Sequence, residues 1–140
     1  MTAKQSGVGW MLAGLFILGC SGEPRPSLAK VHGKVSLQGK PLTSGRILFV
    51  PSKASEGELS HPASGKIGDD GSFTLTSYDD GDGAMIGEHK VAVIVTSAPG
   101  AKAPGTTVKS PVPKQFADPE TTPLRKKVEP GDNAIDINLE

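Results

Sequence analysis

The stretch GEHKVAVIVT, residues 87–96, has the strongest strand character in the sequence. Val91, Val93 and Val95 recur at a spacing of two, so they share one face of an extended chain. Ala92 and Ile94 place apolar side chains on the opposite face as well. Because a strand that is apolar on both faces is typical of the interior of a sheet, this stretch predicts a central strand.

Six further stretches have the apolar spacing and the flanking turn residues of strands. They are residues 30–38, 46–51, 61–68, 72–76, 124–128 and 134–139. Lys126 falls in phase with Leu124 and Val128, and a charge at an inward position is typical of an edge strand. No helix is predicted after residue 20. Seven strands over residues 30–140 predict an all-β, two-sheet sandwich with Greek-key connections. The Cys, Trp, Cys signature of a true immunoglobulin domain is missing, because the only tryptophan is Trp10.

Composition agrees with one domain rich in turns. The chain has 140 residues with 18 glycines and 12 prolines, and 4% of its residues are aromatic. The formal net charge is zero, so no general attraction to nucleic acid is expected. We expect a monomer without a cofactor.

The first 20 residues predict a signal peptide and a membrane anchor. Lys4 precedes an apolar run, residues 8–18, which is too short to span a membrane but suits the core of a signal peptide. The run ends in Ile17-Leu18-Gly19-Cys20, which resembles the lipobox of bacterial lipoproteins. That resemblance implies cleavage after residue 19 and a diacylglycerol on Cys20, the only cysteine of the chain. The alternative is an ordinary secretory signal or an uncleaved anchor.

Residues 20–29 are predicted to be a lipidated tether. Pro24 and Pro26 interrupt this polar stretch, which shows no periodicity. The lipid bilayer is then the first partner of the chain, through acylated Cys20. By resemblance to a bacterial sorting rule, Ser21 after the cysteine implies the outer membrane, facing the periplasm or the cell surface.

The order of several short motifs resembles that of a known family. The motifs are VHGKV (31–35), GKPL (39–42), ILFVP (47–51), DDGSFTL (69–75), DGAMIGEHKVAV (82–93), VPKQFADPETTPL (112–124) and VEPGDNAIDINL (128–139). They resemble small bacterial lipoproteins described as transthyretin-like or carboxypeptidase-regulatory-like. His89 stands where that family usually has an aromatic residue, and Lys126 where it has an aliphatic one. The resemblance implies a prealbumin-like sandwich and no established activity.

Catalytic and metal-binding patterns are incomplete. Asp79, Asp80 and Asp82 suggest a calcium loop, but the EF-hand spacing is not met, and a solvated turn is the alternative. The three histidines, residues 32, 61 and 89, show no spaced pair that is typical of a metal site. There is no G-x-S-x-G nucleophile motif. Some transthyretin-like hydrolases end in Tyr-Arg-Gly-Ser, whereas this chain ends in Ile-Asn-Leu-Glu.

A long proline-rich segment, residues 97–123, is the predicted recognition loop. It holds six prolines and few apolar residues, and long loops on a β-sandwich are common binding sites. Val112 and Phe116 are expected to pin it to the domain. The predicted function is a membrane-anchored, non-catalytic binding or structural module with an envelope protein or polysaccharide partner. The alternative is a small hydrolase or metal-dependent enzyme.

Overall fold

Ten strands and one helical turn are found in residues 26–53, 60–95 and 110–140, which are the residues described by the computed structural model. The strands are β1 (Leu28–Leu37), β2 (Lys40–Pro41), β3 (Arg46–Pro51), β4 (Ala63–Lys66), β5 (Ser72–Thr74), β6 (Ala84–Met85), β7 (Gly87–Ile94), β8 (Arg125–Val128), β9 (Asp132–Ala134) and β10 (Ile137–Leu139). The helical turn is α1 (Lys114–Ala117). Two sheets enclose one apolar core, which confirms the predicted all-β sandwich.

The first sheet is built around β1. Along one edge of β1, the short strands β6, β5 and β2 pair with it antiparallel, one after another. Along its other edge, β9 and β10 pair with it in parallel. A single ten-residue strand therefore supplies the hydrogen-bonding partners of five strands that are only two or three residues long.

The second sheet has the order β4-β3-β7-β8. β7 is paired on both sides, with β3 and with β8, so the predicted interior position of this strand is confirmed. β8 pairs with β7 alone among the described strands, which places Lys126 on an edge strand as predicted. The two sheets meet where Ser64 and Thr76 exchange backbone hydrogen bonds, each 2.9 Å long.

The core follows the period-two pattern of the strands. Val91 and Val93 are fully buried, as are Ile47 and Phe49 on the neighbouring strand β3. The first sheet contributes the buried side chains of Val31, Val35, Phe73, Leu75, Ile137 and Leu139. Ala92, which alternates away from this core, is also fully buried, so both faces of β7 are covered.

Three details of the predicted elements need correction. The tether was predicted to extend to residue 29, but β1 already begins at Leu28 because Leu28 pairs with Met85 and Ala29 with Ala84. The predicted absence of helix is wrong by one turn, since α1 spans four residues. Two further strands, β2 and β6, lie between the predicted strands, and their two-residue length gives no periodicity to detect.

The predicted last strand, residues 134–139, is interrupted opposite Gly33: Ala134 is the last residue of β9, which begins at Asp132, and Ile137–Leu139 form β10. Between the two, Ile135 donates its N–H to the carbonyl of His32 at 2.8 Å, and Lys34 donates its N–H to the Asp136 carboxylate at 3.0 Å. The Ile135 carbonyl oxygen consequently lies only 1.9 Å from the place where a Cβ on Gly33 would stand. Glycine is required at this point of β1 because the neighbouring backbone occupies the space of a side chain.

Gly33→Ala should therefore destabilise the protein, by about 3 kcal/mol, since a core-lining backbone has to move to admit the methyl group. Lys34→Ala on the same strand is the control, and it should change the free energy of unfolding by less than about 0.5 kcal/mol because Lys34 is exposed. Urea unfolding of both variants measures the difference. Equal midpoints for Gly33→Ala and the parent protein would contradict the close approach of Ile135.

Candidate functional site

The predicted lipidation site, Cys20, lies outside the described residues. The described chain begins with Pro26 and Ser27, which lead directly into β1. Among the described residues, no helix is long and apolar enough to cross a membrane.

Residues 110–124 are here called the docked segment; residues 110–123 are the described part of the predicted recognition loop, and Leu124 was predicted to begin the next strand. Val112 and Phe116 are 2% and 5% exposed, and both belong to the core cluster. Phe116 lies on α1, which packs against β7. Lys114 and Gln115 on the same helical turn are exposed. The two apolar residues therefore hold the segment on the domain, and polar neighbours form its outer surface. Residues 97–109 of the predicted loop lie outside the described residues.

Hydrogen bonds to β7 fix the end of the docked segment. The Thr122 hydroxyl donates to the carbonyl of Val91 at 2.7 Å, and the Val91 N–H donates to the carbonyl of Leu124 at 3.1 Å. Lys90 forms an ion pair with Glu120 at 3.3 Å. Thr122 is 2% exposed, so its hydroxyl is satisfied inside the protein. The docked segment thus continues the pairing of β8 along the same edge of β7.

The acidic turn before β6 is organised around one carboxylate. Asp82 accepts the backbone N–H groups of Ser77, Tyr78 and Asp79 at 2.7, 3.0 and 2.9 Å. Partial burial opposes ionisation of Asp82, but these three donors outweigh it and lower the pKa of the carboxyl. Asp80 is exposed. Both oxygens of Asp82 are used to close the turn, which is a structural role.

The three histidines have different surroundings. His32 lies on the exposed face of β1, with Nδ1 3.1 Å from the Asp132 carboxylate. The ring of His61 stacks on that of Tyr78, with 4.4 Å between the ring centroids. His89 is 1% exposed. In the ranges that the structure describes, no three His, Cys, Asp or Glu side chains are grouped so as to hold a metal ion.

Among the residues that the structure describes, His89 is the one buried ionisable side chain. Its Nε2 lies 2.6 Å from the carbonyl oxygen of Met85, so the neutral tautomer with a proton on Nε2 makes the hydrogen bond. Its Nδ1 is buried and has no hydrogen-bond partner, and its ring packs against that of Phe49 at 5.7 Å. Burial lowers the pKa of His89, and the nearby backbones of Met85 and Phe49, which favour the protonated ring, only partly oppose this shift.

A cavity of about 500 Å³ opens beside His89, at the end of the sandwich where β1 begins. Its walls come from the residues just before β1, the end of β3, β6, the start of β7 and β8. The lining residues are Pro26, Ser27, Pro51, Lys53, Met85, Ile86, Gly87, Glu88, His89 and Lys127. Sequence reasoning did not find this cavity, because its lining residues are far apart in the chain.

The basic run at residues 125–127 does not form one patch. Arg125 donates to the carbonyl of Thr122 at 2.9 Å, and Lys127 pairs with Glu129 at 3.6 Å. Lys126 points to the opposite face of β8, because neighbouring residues of a strand alternate. The three charges are therefore divided between two faces of an edge strand.

The burial of His89 predicts a loss of stability in mild acid. Because its pKa is lower in the folded protein than in the unfolded chain, the unfolded chain binds more protons below about pH 6.5. Stability should be complete above that pH and decrease below it, by up to about 1.4 kcal/mol per pH unit. His89→Phe should remove this slope between pH 7.5 and 5, whereas the exposed-site control His32→Gln should keep it. Urea unfolding between pH 7.5 and 5 measures how the free energy of unfolding changes with pH. The same change in both variants would refute the conclusion that His89 causes it.

Asp82→Ala should destabilise the acidic turn, because three backbone donors lose their acceptor. We expect a loss of about 2 to 4 kcal/mol, from charge-assisted hydrogen bonds that do not add fully. Asp80→Ala is a matched control on the same turn, since Asp80 is exposed, and it should change the unfolding free energy by less than about 0.5 kcal/mol. Thermal unfolding distinguishes the two. Similar melting temperatures for the two variants would mean that Asp82 does not hold the turn.

Comparisons of the chain with protein families, with curated proteins and with solved structures gave no match. The family resemblance of the sequence therefore stays a prediction. The β-sandwich itself stands on the strands, the register and the core described above.

Proposed function

We propose that this protein is a lipid-anchored component of a bacterial cell envelope, with a non-catalytic β-sandwich that binds or supports another envelope component. The observation that carries the proposal is the motif Ile17-Leu18-Gly19-Cys20 after a short apolar run. The only cysteine of the chain stands at the position where a lipoprotein requires its thiol. An unpaired thiol elsewhere in an exported protein would be open to oxidation.

The position at which β1 begins supports a lipid anchor at Cys20. The sandwich begins at Leu28, so seven residues, 21–27, separate the first paired residue from Cys20. Because Cys20 precedes the first strand, its acyl chains can lie in a bilayer without disturbing the core. Two or three acyl chains on one residue exceed what stable anchoring needs.

The docked segment is the surface we assign to partner recognition. Val112 and Phe116 are buried and hold it to the domain, so their role is to position the exposed residues beside them. Those residues include Lys114, Gln115 and Glu120. Charged and amide side chains on a fixed backbone suit an envelope protein or a polysaccharide, both of which offer many hydrogen-bonding groups.

Replacement of Cys20 tests the anchor. Expressed in a lipoprotein-processing bacterium, the parent chain should incorporate labelled palmitate and sediment with membranes until detergent is added. Cys20→Ala should incorporate no label and should lose this detergent dependence, because no thiol is left to carry the diacylglycerol. Ser21→Ala is the control and should behave as the parent chain. If Cys20→Ala remains a membrane protein with unchanged processing, the lipoprotein proposal is wrong.

A further inference from the structure

The end of the sandwich that carries the cavity is also the end from which the predicted tether leaves. Ser27 accepts a hydrogen bond from the N–H of Ile86 at 3.1 Å, so the start of the described chain is fixed beside Ile86. Lys53 and Lys127 line the same cavity and are exposed. We call this surface the anchor-proximal face, made of Ser27, Lys53, Ile86 and Lys127.

Ile86 is the feature of this face that needs an explanation. It is 39% exposed and is the one large hydrophobic side chain among the described residues that is exposed. Its neighbour Met85 is 7% exposed and belongs to the buried set. An isolated exposed isoleucine is ordinary on a protein surface, so its position relative to the tether is what makes it informative.

The chain outside the structure limits how far this face can be from Cys20. Ser27 is the seventh residue after Cys20. Seven residues span at most about 25 Å when fully extended, so Ser27 lies within about 25 Å of Cys20. The opposite end of β1, nine residues further on, lies about 30 Å away from this face. The tether therefore holds this end of the sandwich closer to the bilayer surface than the opposite end, and it favours contact of this end with the lipid.

Resting on the proposed lipid anchor, we propose that the anchor-proximal face docks on the lipid surface, with Ile86 inserted among the headgroups. The anchor holds the face at a high local concentration near the bilayer, so a contact too weak to bind by itself is occupied. The lysine side chains keep their ammonium groups at headgroup level while their stems follow the apolar surface.

The charges of this face decide which lipids it needs. Lys127 is paired with Glu129 at 3.6 Å, and Glu88 lines the same cavity as Lys53. Two cations are thus offset by two anions, and the face has no excess positive charge. Docking should therefore depend on Ile86 and on the anchor, and an anionic lipid should strengthen it by no more than about twofold.

The test uses the full lipid-anchored chain, purified in detergent and reconstituted into phosphatidylcholine vesicles. An environment-sensitive fluorophore is placed on Ser27→Cys or, as the far-end control, on Lys40→Cys, which is exposed at the hairpin beyond β1. Quenching by nitroxide-labelled lipids should be at least about threefold stronger at position 27 than at position 40. Adding Ile86→Ser to the Ser27→Cys chain should reduce that quenching by about half. A second vesicle set with phosphatidylglycerol should give quenching within about twofold.

Several outcomes overturn the proposal. Equal quenching at positions 27 and 40 would mean that the sandwich is held away from the lipid surface. Unchanged quenching after Ile86→Ser would mean that the tether alone brings position 27 close. Protection of position 27 from aqueous iodide in cells but not in vesicles would assign the face to a protein partner. The parent chain, whose only thiol is Cys20, should take up no fluorophore; if it does, the lipid anchor itself fails, and the docking proposal with it.

Discussion

The pairing of β1 is the interaction on which this structure depends most. Five strands of two or three residues find their backbone partners on its two edges. Strands so short have no stability of their own, because each makes too few hydrogen bonds and buries too little apolar surface. The approach of Ile135 to Gly33 shows how closely the neighbouring chain follows β1. Loss of register in this strand would remove the first sheet as a whole.

The second sheet provides the support for the proposed recognition surface. β7 is paired on both sides, with β3 and with β8. Beyond the end of its pairing with β8, the docked segment lies against β7. Thr122 and Leu124 attach that segment to the backbone of Val91, while Phe116 anchors it by burial. The exposed surface of the docked segment is consequently attached to β7, a strand in the interior of a sheet. This attachment limits the motion of the segment relative to the core.

His89 and Lys126 illustrate how pairing connects two unusual residues. Both depart from the pattern of the family that the sequence resembles, and the β7–β8 register places them directly opposite each other. Side chains of directly paired residues share one face of the sheet. The neutral His89 ring fills a core position beside Phe49, and Lys126 occupies an edge position with partial exposure. Burial of Nδ1 without a hydrogen-bond partner already has a cost in the neutral ring, and protonation in acid adds to it.

The sequence by itself determined the all-β class, the approximate places of most strands of three or more residues and the shared face of Val91 and Val93. Period-two alternation is a local property, so it can be read without knowing what lies opposite. Tertiary structure alone decided that the amphipathic β1, and not only the apolar β7, is an interior strand, and it joined β2 and β6 to β1. It also decided that Ile86 stands beside Ser27, since residues so distant in the chain meet only through long-range hydrogen bonds.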